Sequence, residues 1–182
     1  MLDMLAGRWG LVLVRAALAL IAGVLLLAWR DPGPDTFLRV FGIYALADGL
    51  AAGMLAVGAR RASDASSLLL EAAIRSGGGL IAVAAPGLVA PSLSTWLGVW
   101  AGLSGLAQAA VAVSLRHEIA GDWPMPVAAL LSLALATVCL GGWAADLPLL
   151  VWTVAGYCVL SFAVLMAFAY RMWQLACEMG KA

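Results

Sequence analysis

The stretch FGIYALADGLAAGMLAVGAR, residues 41–60, is apolar and rich in small side chains, and one carboxylate, Asp48, interrupts it before the basic exit at Arg60. Its length suits a helix crossing a hydrocarbon core ~30 Å thick, which takes ~20 residues. Shifted by 56 residues it lies over LGVWAGLSGLAQAAVAVSLR, residues 97–116. Eight positions then coincide: Gly42/Gly98, Ala45/Ala101, Gly49/Gly105, Leu50/Leu106, Ala51/Ala107, Ala56/Ala112, Val57/Val113 and Arg60/Arg116. The same shift sets Ala16, Ala17 and Gly23 on Ala72, Ala73 and Gly79, so the chain reads as an internal repeat.

Composition names the solvent around this repeat. Of 182 residues, 65% are hydrophobic and 11% charged, too few charges to cover the surface of a soluble domain. The mean hydropathy of +1.04 points the same way, to a protein of the lipid bilayer. Ten basic and ten acidic residues cancel, which leaves no basic field for nucleic acid. Cys139, Cys158 and Cys177 are odd in number and mostly set in apolar runs, so neither a disulfide nor a metal site is expected.

Charges and prolines divide the chain into apolar segments at about 9–29, 40–59, 68–85, 93–115, 126–145 and 147–170. The short turn-forming breaks RDPGPD (30–35), APGLVAPS (85–92) and AADLP (144–148) pair these segments. The fold class expected is all-α: a single polytopic domain over 1–182, with six transmembrane helices as three hairpins, about 9–60, 66–116 and 123–173. Each copy contains two crossings, so all three enter the membrane with the same polarity, and a pseudo-threefold bundle follows. Arg15 and the lack of a small-residue cleavage site argue that the first segment is a retained helix and not a signal peptide. Arg8, Arg15, Arg60, Arg61, Arg75, Arg116, Arg171 and Lys181 fall toward one side, against Arg30 and Arg39 on the other, which places both termini in the cytoplasm.

Asp48 then sits near mid-bilayer, where an ionised carboxylate facing lipid is costly, so it is expected to face the interior and be neutral or paired. Arg75 lies at nearly its depth. Glu71 shares a helix face with Arg75, four residues on, and is the repeat equivalent of Arg15. Arg15, Asp48, Glu71 and Arg75 sum to zero charge and read as one buried network, with Arg75 the better-placed partner of Asp48 and Tyr44 adding a phenolic hydrogen bond one turn away. Two roles remain open: a clamp fixing helix register, or a proton- or ion-responsive site.

Ala45, Gly49 and Gly53 repeat every four residues, and Ala101, Gly105 and Ala109 are their equivalents. Such ridges let helices approach closely in lipid. The third copy has Cys158, Phe162 and Met166 there, which predicts looser contact. Gly77, Gly78 and Gly79 mark a close helix crossing, and Trp9, Trp29, Trp123, Trp143 and Trp173 read as interfacial anchors. His117 reads as a solvated loop residue.

VRAALALIAGVLLL (14–27), FGIYALADG (41–49), LLLEAA (68–73), the turn residue Pro86 and the basic exits Arg60 and Arg116 together resemble the HdeD family of small bacterial membrane proteins. The resemblance implies an inner-membrane protein of six helices in three hairpins, linked in one bacterial branch to survival of acid. In the third hairpin GYCVLSFAV (156–164) departs from the Tyr-x-x-x-Asp-Gly pattern. The chain lacks HExxH, GxSxG, GxxxxGK[ST] and CxxC motifs, so no enzyme, no cofactor and no metal is expected. The function expected is a non-catalytic membrane protein serving acid or envelope stress. The alternatives are a small proton-coupled transporter or channel, and a membrane assembly partner. Expected partners are the lipid bilayer and a second copy in a homo-oligomer, with no nucleic acid and no known small-molecule substrate.

Overall fold

The computed structural model describes residues 9–29, 33–57, 62–115, 123–144 and 146–179, without the side chains of 62–64, 114, 115, 175, 178 and 179. Among the described residues all regular structure is helical. The long helices are α1 (Trp9–Ala28), α2 (Pro34–Ala56), α3 (Ala62–Ala84), α4 (Leu93–Leu115), α5 (Pro124–Leu140) and α6 (Leu147–Met179). A one-turn helix, Pro86–Val89, and a 3-10 turn, Ala90–Ser92, lead into α4. Arg8, Arg30, Arg60, Arg61, Arg116, His117 and Lys181, on which the expected orientation and loop roles lean, lie outside the described residues.

Several boundaries depart from the apolar segmentation. α2 begins at Pro34 and not near 40, because a proline at the first helical position sacrifices no hydrogen bond and Asp35 complements the helix dipole in the first turn. α5 stops at Leu140 and not at 145. There Gly142 takes φ 73°, Trp143 N–H bonds Val138 O at 3.2 Å, and Gly142 N–H approaches Cys139 O at 3.4 Å. That is a Schellman close, whose left-handed residue suits glycine. α6 continues to Met179 because RMWQLACEM offers no glycine or proline to break it.

α1, α2, α3 and α6 are long and apolar enough to cross a membrane, as is the run Pro86–Val113 that holds α4; α5, at 17 residues, is shorter. Each helix packs on the next in chain order and α1 also packs on α6, with the pairs α2/α3, α4/α5 and α1/α6 the most intimate. Glycines explain these three. A methyl at Gly49 would land on Ser76 of α3, and one at Gly79 would sit 2.5 Å from the Leu46 nitrogen. At Gly105 it would press 2.9 Å from Leu133 Cγ of α5, and at Gly23 3.2 Å from Cys158 Cβ of α6. Backbones without Cβ atoms come close enough for dispersion to hold helices that lipid does not push together. Of the expected ridges, Ala45 and Ala101 are fully buried and a methyl at Gly53 would touch Ala72, while Ala109 is half-buried. The third copy was expected to pack loosely. Met166 is exposed and Phe162 half-buried there, but Cys158 is buried against Gly23, because the small residue is supplied by the partner helix α1.

Two apolar clusters divide the interior. At the end where α1 begins and α6 finishes, hereafter the terminal end, Val12, Leu55, Phe168, Ala169 and Met172 pack together. Toward the opposite end a larger cluster holds Phe37, Phe41, Leu97, Trp100, Leu150 and Val154, with Phe41 edge-on to Trp100 at 4.9 Å between ring centres. The polar residues lie between them. Trp29, Trp123, Trp143 and Trp173 are exposed, as suits rings at a membrane interface, and Trp9 is half-buried.

Candidate functional site

An intramembrane charge has to be surrounded by the groups that neutralise it, because lipid offers none. Arg15 lies six residues into α1, Asp48 eight residues from the end of α2, and Glu71 nine residues into α3. At ~1.5 Å per residue these put all three ~9–14 Å from the terminal end, so their side chains meet at one level. They are almost wholly inaccessible: Arg15 3% exposed, Asp48 0%, Glu71 2% and Arg75 3%.

Asp48 is gripped by both guanidiniums. Arg15 Nε donates to Oδ1 at 2.7 Å and Arg15 Nη2 to Oδ2 at 3.3 Å, a bidentate fork, while Arg75 Nη1 donates to Oδ2. Arg15 Nη2 also donates to Glu71 Oε1 at 2.8 Å. Arg75 Nε stands 3.2 Å from the same oxygen without the alignment of a hydrogen bond, so this contact is an ion pair only. Arg75 was the better-placed partner by depth, yet Arg15 makes the fuller contact. The apolar cluster of Val12, Leu55, Phe168 and Met172 closes the terminal end, and the Arg15 side chain turns inward, where its counter-ions are.

Tyr44 is buried against Phe41, with ring centres 6.1 Å apart, but among the described residues no hydrogen bond joins its hydroxyl to Asp48. The hydroxyl in the polar layer belongs instead to Tyr157, which the repeat places over Tyr44 at a shift of 113. With the Gln108 amide turned so that its polar neighbours are complemented, its oxygen accepts from Arg75 Nη2. Its nitrogen then donates to Ala128 O at 3.0 Å and Ser132 Oγ at 2.9 Å. Ser132 Oγ in turn is hydrogen-bonded to Tyr157 Oη at 3.0 Å. The connected set is therefore Glu71, Arg15, Asp48, Arg75, Gln108, Ser132 and Tyr157, and it draws on all six long helices. Sequence reading missed Gln108, Ser132 and Tyr157 as members. Gln108 was the available signal, as the one carboxamide inside the apolar segments.

The equivalents of Tyr44 and Asp48 in the second copy are Trp100 and Ser104. Both are buried, and among the described residues Trp100 Nε1 and Ser104 Oγ have no hydrogen-bond partner. The Trp100 indole lies over Gly78, where a methyl would collide with it. Gly79 makes the expected close crossing with α2, whereas a methyl at Gly77 would meet nothing within 4 Å. Cys139, Cys158 and Cys177 are free thiols, and among the described residues no group of His, Cys, Asp or Glu side chains is arranged to hold a metal.

A family model described as a short repeat of unknown function (DUF308) matches residues 14–76 and again 72–141. The chain belongs to this family. The two matches begin 58 residues apart, close to the shift of 56 at which α2 and α4 align, and neither reaches α6. With the apolar helices, they make this a multi-pass membrane protein with internal repeats. No curated protein and no solved structure matches the chain.

Proposed function

We propose that the chain is a non-catalytic protein of the bacterial inner membrane, of the HdeD kind, serving acid or envelope stress resistance. Its buried network is the clamp that holds six membrane-crossing helices, in three hairpins about a pseudo-threefold axis, as one unit. The carrying observation is that seven hydrogen-bonded or ion-paired side chains, with no net charge, join all six long helices in a layer between two apolar clusters. Breaking one partner out of such a layer leaves a buried charge alone, so the layer penalises partial opening more than it adds to stability. The ring of helix contacts and the alternation of tight and looser pairs support the threefold arrangement. α5 spans ~25 Å at ~1.5 Å per residue, enough for a crossing with Trp123 at one interface and the turn at Gly142 at the other.

The apolar clusters also favour a clamp over a conduit. A cavity of about 280 Å³ at the opposite end is lined by Pro34, Ser92, Ser94, Leu150 and their neighbours, and by no member of the network. Phe37, Phe41, Leu97 and Trp100 lie in the larger apolar cluster beneath that end. A transporter needs a polar path at least part of the way through, and on this side the path ends in aromatic rings.

The test is survival of acid and of envelope stress by a bacterium deleted for this chain, with and without the wild-type gene restored. Lower survival on deletion, recovered on restoration, is expected; equal survival in every arm removes the stress reading. In the same strain a reporter fused after Ala182 is expected to be active in its cytoplasmic form and one at Gly33 in its exported form. Both on one side would break the hairpin arrangement.

A further inference from the structure

The seam between α1 and α6 is closed in one part and open in another. Well along α1, Gly23 lets α6 approach, and a methyl there would stand 3.3 Å from the Ala155 oxygen. Toward the terminal end no glycine plays that part: Gly10 is exposed, and a methyl on it would meet nothing within 4 Å. Large side chains leave a groove there of about 210 Å³, lined by Trp9 and Leu13 of α1 and by Met166, Ala169, Tyr170 and Trp173 of α6. The four α6 residues recur at intervals of three and four, so they share one helix face. From Met166 to Trp173 that face runs ~10 Å along the helix, at ~1.5 Å per residue. Ala169 is buried, in the apolar cluster at this end, while Met166, Tyr170 and Trp173 are exposed.

We propose that this groove is a lipid site, in which one acyl chain of a phospholipid lies along α1 and α6 and its phosphate meets Arg171. The groove opens outward on a multi-pass membrane protein, and Val14 beside it is exposed, so either lipid or another apolar helix covers it. A second helix fits poorly. Helices meet closely in lipid across small residues, whereas here Tyr170 and Trp173 stand out from the surface with ring centres 5.9 Å apart and hold a helix backbone off. A narrow, flexible acyl chain passes between such rings. Charge complementarity selects the headgroup. Among the side chains described on α6, Arg171 alone carries a charge; it is half-buried and lies near the level of Trp173, whose ring suits the membrane interface. A long basic side chain at that depth reaches toward the phosphate layer.

The chain comes from lipid and not from water, so its transfer gains no hydrophobic free energy. Retention depends on dispersion contact with the rings and on the guanidinium–phosphate pair. The lining includes no member of the buried polar network, and Val12, Phe168 and Met172 pack at this end of the bundle. The site therefore stands apart from the clamp and does not depend on the stress reading. Its consequence is structural: α1 and α6 join the two ends of the chain, and the lipid fills the part of their seam that no small residue closes.

The test is native mass spectrometry of the full-length protein in mild detergent, dosed with dioleoyl phosphatidylglycerol. Wild type is expected to keep one lipid under activation that strips the rest. Dioleoylglycerol, with the same chains and no phosphate, should be held roughly tenfold less well, as for the loss of one charge-assisted hydrogen bond. Arg171→Gln should bring the phospholipid down to that level. Ala169→Leu fills the groove from its buried side, and Met166→Trp fills it from the exposed side, where no buried packing is disturbed. Both should abolish retention, whereas Ala163→Leu, at an exposed position of α6 outside the groove, should leave it unchanged. No retained lipid in wild type, or equal retention by Met166→Trp, overturns the proposal. A mass of two chains that Met166→Trp reduces to one would overturn it too, because a second copy would then cover the groove.

Discussion

Helices α1–α3 and helices α4–α6 occupy the same layer of the molecule and are stitched by different chemistry. In the first half, three helices exchange four ionised side chains, two of them arginines that each touch both acids. In the second, Gln108, Ser132 and Tyr157 pass neutral hydrogen bonds from one helix to the next. The position held by Asp48 in the first copy is Ser104 in the second, buried and, among the described residues, without a hydrogen-bond partner. The difference teaches that one repeat backbone tolerates either solution, but the consequences of damage differ. A neutral link can be lost singly, whereas a charge removed from a closed, neutral set leaves its partner unpaired in a medium that cannot hydrate it.

The sharpest way to break the comparison is to delete a charge. Asp48→Ala is expected to destabilise the bundle by about 3–5 kcal/mol, because Arg15 and Arg75 would then share only Glu71. Combining it with Arg75→Gln should be milder than the sum of the single changes, since the two residues are in direct contact. Denaturant titration in mixed micelles measures both. Near-additive losses would mean that the four charges do not act as a set.

Smaller effects are expected where helices within each half meet by close backbone approach. Gly49→Ala should cost about 1–3 kcal/mol, since its methyl would meet the Ser76 nitrogen and Ala72 oxygen, which are backbone. Gly105→Ala should cost less, because the nearest atom is the side-chain Cγ of Leu133, and Gly77→Ala should be neutral or mildly stabilising, by up to about 1 kcal/mol. Thermal unfolding of the three variants ranks them, and the reverse order would mean that the tight contact lies in the second copy.

Among the members of the polar layer, the smallest effect is expected in the neutral half. Ser132→Ala removes the bridge between Gln108 and Tyr157 and should cost about 1 kcal/mol by the same denaturant titration. A loss as large as that of Asp48→Ala would erase the distinction between the halves.

The charged half was legible in the sequence because Arg15, Asp48, Glu71 and Arg75 stand out in a chain this apolar, and because helical spacing and repeat register give their depths. The neutral half was not, since a serine or a tyrosine in a membrane helix can bond its own backbone or face an interface, and only the packing of α4, α5 and α6 decides. That α2 and α4 would each cross a neighbour closely was legible from Gly49 and Gly105; that those neighbours are α3 and α5, and not the helices paired with them by the short turns, was not. That Gly23 would supply the third close contact was hidden, because the ridge on α6 is absent and the small residue had to be sought on α1. Helix ends followed local chemistry more than hydropathy: Pro34 and Gly142 set two of them within or before an apolar run.

Arg15 and Glu71 are the same position of successive copies, 56 residues apart, and they touch. Copies identical at that position would bring like charge onto like charge at 2.8 Å, so the contact can exist only between copies that differ. Joining them in one polypeptide fixes the ratio at one cation to one anion in every molecule. It also gives each copy a fixed address in the ring, which free-standing hairpins assembling at random would lack.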